Sequence, residues 1–210
     1  MNDWFRRNDI ITGDCVSCMS EMDSDTIDLT VTSPPYDQLR DYKGYSFDFE
    51  NTAKQLYRIT KPGGVVVWVV GDSVINGSES GTSFKQALYF KEIGFNLHDT
   101  MIYQKTSSSL PDVSRYFQAF EYMFVLSKGK PKTVNLIKDR KNNTAGSFRG
   151  HRSYRRKDGE IHKRENTHQI PEKSQRFNVW KYETGFMKST KDDYAFKHPA
   201  IFPEALAKDH

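Results

Sequence analysis

Apolar and polar positions along the chain follow two rhythms, one of short β-branched runs and one of helical spacing. Asp9 to Asp14 (Asp-Ile-Ile-Thr-Gly-Asp) reads as a short strand, and Val16 to Met22 as a short helix. The run Ile27-Asp28-Leu29-Thr30-Val31-Thr32 is strand-like and stops at Pro34-Pro35. Proline neither donates to a ladder nor lets the residue before it turn helical. Between Phe47 and Thr60 the apolar positions Phe49, Ala53, Leu56, Tyr57 and Ile59 predict a helix that ends at Lys61-Pro62-Gly63-Gly64. Val65 to Val70 is apolar without alternation, which predicts a strand covered on both faces. After a Gly/Ser-rich loop from Gly71 to Gly81, Phe84 to Ile93 reads as a helix closed by Gly94. Phe95 to Gln104 and Glu121 to Leu126 read as two more strands. The order β-α-β-α-β-α-β-β predicts an α/β fold with a wound sheet.

From Lys128 the periodic signal fades. Residues 128–182 are polar, basic and turn-rich, and His198 to Ala207 reads as an extended arm leading into a helix. The expected organisation is a core at 1–129, an inserted region at 130–182 and an arm at 183–210 that returns to the core. A length of 210 residues with 13% aromatics is enough for one folded domain with an inserted lobe. No apolar run is long enough to span a membrane, and the N-terminal residues lack a signal-peptide pattern, so a cytoplasmic protein is expected.

Charge is unevenly placed. Residues 138–176 carry twelve Lys/Arg against five acids, while the whole chain is only +4. Such a block is the footprint of a polyanion partner, most often nucleic acid, or it is a solvated surface loop. Cys15 and Cys18 form a single C-x-x-C. A zinc site would have to borrow His151, His162 or His168 from far along the chain, so reduced structural thiols and no metal are expected.

Chemistry concentrates at Thr32-Ser33-Pro34-Pro35-Tyr36, at the carboxyl end of a predicted buried strand, where open α/β sheets bind their ligands. A rigid Pro-Pro turn there fixes a hydroxyl, a carbonyl and an aromatic ring in one triangle. That triangle suits a flat heterocycle with an amino group: Ser33 and the Pro34 carbonyl accept from the NH2, and Tyr36 stacks on the ring.

These five residues resemble motif IV of the S-adenosylmethionine-dependent DNA amino-methyltransferases, which methylate the exocyclic amine of cytosine or adenine. The resemblance extends over most of the chain. Asp14 in Thr12-Gly13-Asp14-Cys15 matches the acidic position beside the adenosyl group; Lys61-Pro62-Gly63-Gly64, Gly71-Asp72, Phe120-Glu121-Tyr122 and Lys128-Gly129 match intervening motifs; and His198-Pro199-Ala200-Ile201-Phe202-Pro203-Glu204 is similar to motif X. The order of motifs resembles the permuted β group, whose target-recognition region falls where the basic block lies. The resemblance implies a Rossmann-like methyltransferase sheet with an inserted basic target-recognition region. It implies Ser33, Pro34, Pro35 and Tyr36 as catalytic residues and S-adenosylmethionine as cofactor, held by Asp14, Cys15, Thr32, Ser33, His198, Pro199 and Phe202. It also implies double-stranded DNA as partner, contacted by Arg149, Arg152, Arg155, Arg156, Lys157, Lys163 and Arg164. A base stacked in the duplex must flip out to meet a sulfonium methyl group. Serine before Pro-Pro-Tyr is commoner among cytosine-specific members, so cytosine-N4 is favoured over adenine-N6.

The family's glycine-rich motif I, expected after motif X, does not occur within residues 1–210. The resemblance therefore implies an incomplete sheet with a gap beside the strand Asp28 to Thr32. It also leaves three readings open: half of a split enzyme completed by a second chain or segment that supplies the motif, a truncated copy, or a DNA-binding remnant without activity. Weak binding of S-adenosylmethionine by these 210 residues alone is the expected calorimetric result, and tight binding would contradict it.

Overall fold

The computed structural model describes residues 8–35, 46–106, 114–148, 152–164, 168–185, 188–198 and 201–210. The elements in chain order are α1 (Cys15–Ser20), β1 (Ile27–Thr32), α2 (Phe49–Ile59), β2 (Thr60–Val70), β3 (Val74–Ile75), β4 (Ser78–Glu79), α3 (Thr82–Glu92), β5 (Asn96–Lys105) and β6 (Phe120–Ser127). There follow β7 (Arg140–Lys141), β8 (Arg152–Arg155), β9 (Ile161–Arg164), β10 (Lys173–Ser174), β11 (Val179–Tyr182), a 3-10 turn at Asp193–Lys197 and α4 (Glu204–Asp209). The chain divides into two compact units, 1–134 with 178–210, and 135–177.

The larger unit is built on one sheet of order β1-β2-β6-β5-β11. β1 and β2 are parallel and joined through α2, β6 runs antiparallel to both β2 and β5, and β11 is parallel to β5. The apolar run of β2 is buried on both faces as its pattern predicts. Val66, Trp68 and Val70 point to a core with Ala53 and Leu56 of α2 and Ala87 and Phe90 of α3. Val67 and Val69 point the other way, to Met101, Met123 and Leu206 of α4. The Trp68 indole N–H, buried at 1% exposure, donates to Gln86 Oε1 at 2.8 Å, which satisfies the one polar atom of that large side chain. Gly94 has φ +115, and an added Cβ would stand 2.7 Å from the Tyr57 hydroxyl oxygen and 2.8 Å from its ring carbon Cζ, so glycine is required where α3 turns into β5.

Two sequence expectations need correction. Asp9 to Asp14 forms no strand, and Ile10 is 92% exposed. A strand needs a partner for its backbone groups, and among the described residues nothing pairs with the outer edge of β1. Val179–Tyr182, expected inside the inserted region, is instead a strand of the main sheet, which moves the boundary of the insert from 182 to 177. Only four residues long, it pairs with a strand some 75 residues earlier, a non-local contact that leaves little periodic trace.

The Lys61-Pro62-Gly63-Gly64 and Lys128-Gly129 motifs meet each other at the amino end of β2. Gly63 N–H donates to the Lys128 carbonyl at 2.6 Å, and Lys128 N–H donates to the Gly64 carbonyl at 3.1 Å. The register of β1 slips between Ile27 and Leu29 to accommodate the extra residues. A Cβ on Gly64 would stand 2.9 Å from Thr60 Cγ2 and 3.0 Å from the Asp28 and Lys61 carbonyl oxygens, so a larger residue would force its neighbours to shift. These motifs hold the sheet together at the end away from the predicted chemistry.

The 135–177 unit is made of short antiparallel ribbons. β7 pairs with β10, and β8 with β9 in the register Arg152↔Arg164, Ser153↔Lys163, Tyr154↔His162, Arg155↔Ile161. Asn142 Nδ2 donates to the Pro171 carbonyl and to Ser174 Oγ, both at 2.7 Å, and Arg176 pairs with Asp139. With little apolar residue to bury, this unit relies on such polar ties.

Candidate active site

Strands β1, β2, β5 and β11 run in one direction and β6 against them, so four carboxyl ends and the start of β6 share one edge of the sheet. Thr32 lies opposite Trp68, and the next residues bring Ser33-Pro34-Pro35 to that edge beside the end of β2. Pro34 is buried and Pro35 half-buried, whereas Ser33 is exposed. The turn is thus anchored by its prolines, with Ser33 exposed ahead of them. Tyr36 lies outside the described residues.

Beyond β2, Asp72 is buried, and its carboxylate accepts from Ser80 Oγ at 3.0 Å, Ser83 N–H at 2.9 Å and Ser83 Oγ at 2.5 Å. α3 begins after Gly81, which has φ +65 and no side chain with which to cap; Asp72, just past the end of β2, supplies the missing cap. Between them, β3 and β4 form a hairpin in which Val74 pairs with Glu79 and Ile75 with Ser78. Its turn, Asn76-Gly77, has φ +51 and +77, the two left-handed residues that a type I′ turn requires. Phe84 and Phe120 pack edge-on against Tyr122 at 5.0 and 5.4 Å. Burial raises the Tyr122 hydroxyl pKa, and the Glu79 and Asp72 carboxylates add to the rise, so it stays protonated at neutral pH. Further along the edge Lys105 and Glu121 form an ion pair of 3.1 Å, and burial, reinforced by Glu121, also keeps the Tyr103 hydroxyl protonated.

The cofactor residues expected from the sequence lie on three elements. Asp14 caps α1, accepting from Ser17 N–H at 2.9 Å and Ser17 Oγ at 3.0 Å. Cys15 Sγ lies 3.6 Å from Thr52 Oγ1, Cys18 sits beside Gly13, and both thiols are unpaired with each other. Thr32 and Ser33 end β1. Phe202 is half-buried on the opposite face of the sheet from α1, next to the Val67, Val69 and Leu206 cluster. His198 is exposed, and Pro199 lies outside the described residues. α4 is tied down where the arm ends: Thr190 Oγ1 donates to Glu204 Oε1 at 2.7 Å and Glu204 N–H donates to the Ser189 carbonyl. The Thr190 bond, with Lys208 nearby, holds the Glu204 carboxyl below its ordinary range. Among the described residues no group of three or more His, Cys, Asp or Glu is placed to hold a metal ion, and no helix is long and apolar enough to cross a membrane.

Residues 27–210 match the family described as DNA methylase, whose name joins N6 and N4 methyltransferases. The chain belongs to this family. It is 63% identical over 188 residues to the orphan methyltransferase M.BamHII of Bacillus amyloliquefaciens, covering 88% of this chain and 70% of that protein. It is 24% identical to the type II methyltransferase M.SmaI of Serratia marcescens, covering 95% of this chain and 72% of that protein. In structure it resembles the cytosine-N4-specific PvuII DNA methyltransferase with a TM-score of 0.60 at 20% identity, over 94% of this chain and 66% of that one. That likeness establishes the methyltransferase fold.

The Ser33-Pro34-Pro35 turn lies at the edge of the sheet where β1 and β2 end. Of the residues named for DNA, Arg155, Arg156, Lys157 and Lys163 are exposed on the β8–β9 ribbon, whose backbone also carries Arg152 and Arg164; Arg149 lies outside the described residues. Sequence reasoning missed the Asp72 cap and the β3–β4 hairpin. The signal for the second was present, because Asn-Gly between Val74-Ile75 and Ser78 is a strong short-range hairpin pattern.

Proposed function

We propose that this chain carries the catalytic and DNA-contacting parts of an enzyme that moves a methyl group from S-adenosylmethionine to the exocyclic amine of a base flipped out of duplex DNA. Cytosine N4 is the favoured acceptor and adenine N6 the alternative. The observation that carries the reading is an exposed serine fixed by a buried proline at the carboxyl end of β1. The amine lone pair is delocalised into the base. Ser33 Oγ and the Pro34 carbonyl each accept one amine hydrogen, which favours a pyramidal nitrogen whose lone pair is free to attack. Pro35 keeps these acceptors from moving apart, and Tyr36 stacks on the ring. Once methylated, the cationic nitrogen is acidic and loses its proton without a strong base nearby.

The residue types fit the cofactor's chemistry: a carboxylate at Asp14 for hydroxyl or ammonium groups, hydroxyls at Thr32 and Ser33, and the Phe202 ring for a flat heterocycle. S-adenosylmethionine, when bound, supplies a sulfonium-activated methyl group. We assign the remaining cofactor-binding element to a second chain or segment that pairs along the outer edge of β1, where Leu29 is 42% exposed and Ile10 and Ile11 lack a strand partner.

The 135–177 unit is the proposed DNA-contacting part. In its β7–β10 ribbon Lys141 stands directly opposite Lys173. Like charges facing each other across a ladder are destabilising, and a phosphate backbone neutralises them. A two-stranded ribbon also fits the major groove. Replacing Arg155, Arg156 and Lys163 by glutamine one at a time should reduce the slope of log affinity against log salt by about 1 for each phosphate left without its cation. Fluorescence anisotropy between 50 and 200 mM salt, the interval over which about 10³–10⁵ in affinity is at stake, reads this directly.

The deciding experiment is transfer of a tritiated methyl group to duplex DNA, with and without a segment carrying the glycine-rich element, followed by digestion and identification of the modified base. N4-methylcytosine is expected; N6-methyladenine would move the assignment to the alternative. The like-charged β7–β10 ribbon favours a second reading, a DNA-binding module without activity, which holds if no base is methylated under either condition.

A further inference from the structure

We propose that the β3–β4 hairpin is a wedge that fills the gap left in the base stack when the target base leaves the duplex, with Ile75 as the side chain that enters it. The inference rests on the methyl-transfer reading of Ser33 and adds a role that reading leaves unfilled. Extracting a base leaves a flat apolar hole between its neighbours, and proteins that unstack DNA fill such holes with aliphatic or aromatic side chains.

Four features of the hairpin fit that task. It rises from the end of β2, the strand paired with β1, and so stands at the same edge as Ser33. It is apolar at its tip: Val74 is 46% and Ile75 58% exposed, beside the tight Asn76-Gly77 turn. It is stiff, because Asp72 fixes its base through Ser80 and Ser83, Ser80 N–H donates to the Ser73 carbonyl at 2.9 Å, and the Arg115 guanidinium donates to the Gly77 carbonyl. Lastly, residues 72–81 contain two carboxylates, Asp72 and Glu79, and no Lys or Arg. A phosphate-tracking loop would carry cations of its own, whereas the cation at this tip, Arg115, comes from outside the hairpin and is held by the Gly77 carbonyl. Half-exposed Phe84, in contact with Tyr122, extends the apolar surface from the hairpin toward the sheet.

The test uses the full chain together with the segment that supplies the glycine-rich element. The substrate is a duplex bearing the sequence that the protein selects by binding from a pool of random duplexes. Ile75→Ala should lower methylation of the fully paired duplex about tenfold. It should leave methylation nearly unchanged when the target base faces an abasic position, where the base is already unpaired. Ile75→Phe should restore activity on the paired duplex, since a ring fills the same hole. Equal loss on both duplexes, or no loss on either, overturns the wedge. If the wild type methylates neither duplex, the reading of Ser33 fails and binding alone decides the hairpin. The wild type should then prefer the abasic duplex over the paired one by less than Ile75→Ala does, and an identical ratio for the two overturns it.

Discussion

Replacing Ser33 by alanine is expected to lower the rate of methyl transfer by about 10²–10³-fold, the usual cost of deleting one preorganised hydrogen-bonding group at a reacting centre. Ser33 is exposed just past the end of β1, and its neighbours Pro34, buried, and Pro35, half-buried, hold the turn. The substitution therefore removes one acceptor of the amine without loosening the backbone that presents the other. Thermal stability and DNA affinity should match those of the wild type, and single-turnover methylation with tritiated cofactor isolates the chemical step. A rate within threefold of wild type would show that the Pro34 carbonyl alone can prepare the amine, and would remove Ser33 from the mechanism.

Phe90→Ala is expected to cost about 3–5 kcal/mol of stability. Phe90 is fully buried on α3, with ring centroids 5.1 Å from Trp68, 5.4 Å from Phe49 and 5.7 Å from Phe95. It joins α2, α3, β2 and the start of β5, so its removal opens a cavity that no single neighbour can collapse to fill. For a chain of this size the loss corresponds to a fall in melting temperature of about 6–20 °C, read by calorimetry or circular dichroism. Phe84, two turns earlier on the same helix, is 49% exposed, and Phe84→Ala should shift the melting temperature by less than about 2 °C, near the limit for surface substitutions. Equal effects at the two positions would show that α3 is packed differently from the arrangement described.

The pair also shows what is legible in the sequence. The helix that carries Phe90, the doubly buried β2, the glycine that closes α3 and the proline stop after β1 all follow from local periodicity and turn chemistry, but which face of α3 is buried does not. Elements whose existence depends on distant partners do not. Ile10 and Ile11 look like strand residues, yet a strand beside β1 would need neighbours that the described chain does not contain. Val179–Tyr182 has a strand's composition but no local cue that it pairs with β5. At the site, the Ser33-Pro34-Pro35 turn is plain because two prolines leave few conformations open. Asp72 is hidden because a carboxylate in a serine-rich loop reads as solvated until Ser80 and Ser83 are seen to close on it.

The insert at 135–177 begins and ends on strands of a single sheet, β6 before it and β11 after it. Its internal ties run among its own residues, from Arg176 to Asp139 and from Asn142 to Pro171 and Ser174. Such a segment behaves as a cassette. Doubling the length of a connection costs only about 0.6 kcal/mol in closure entropy, so inserts of different length and sequence can be exchanged between β6 and β11 with the catalytic edge left intact. Under the proposed division of labour, the DNA sequence recognised can diverge between relatives while Ser33 and its two prolines stay as they are.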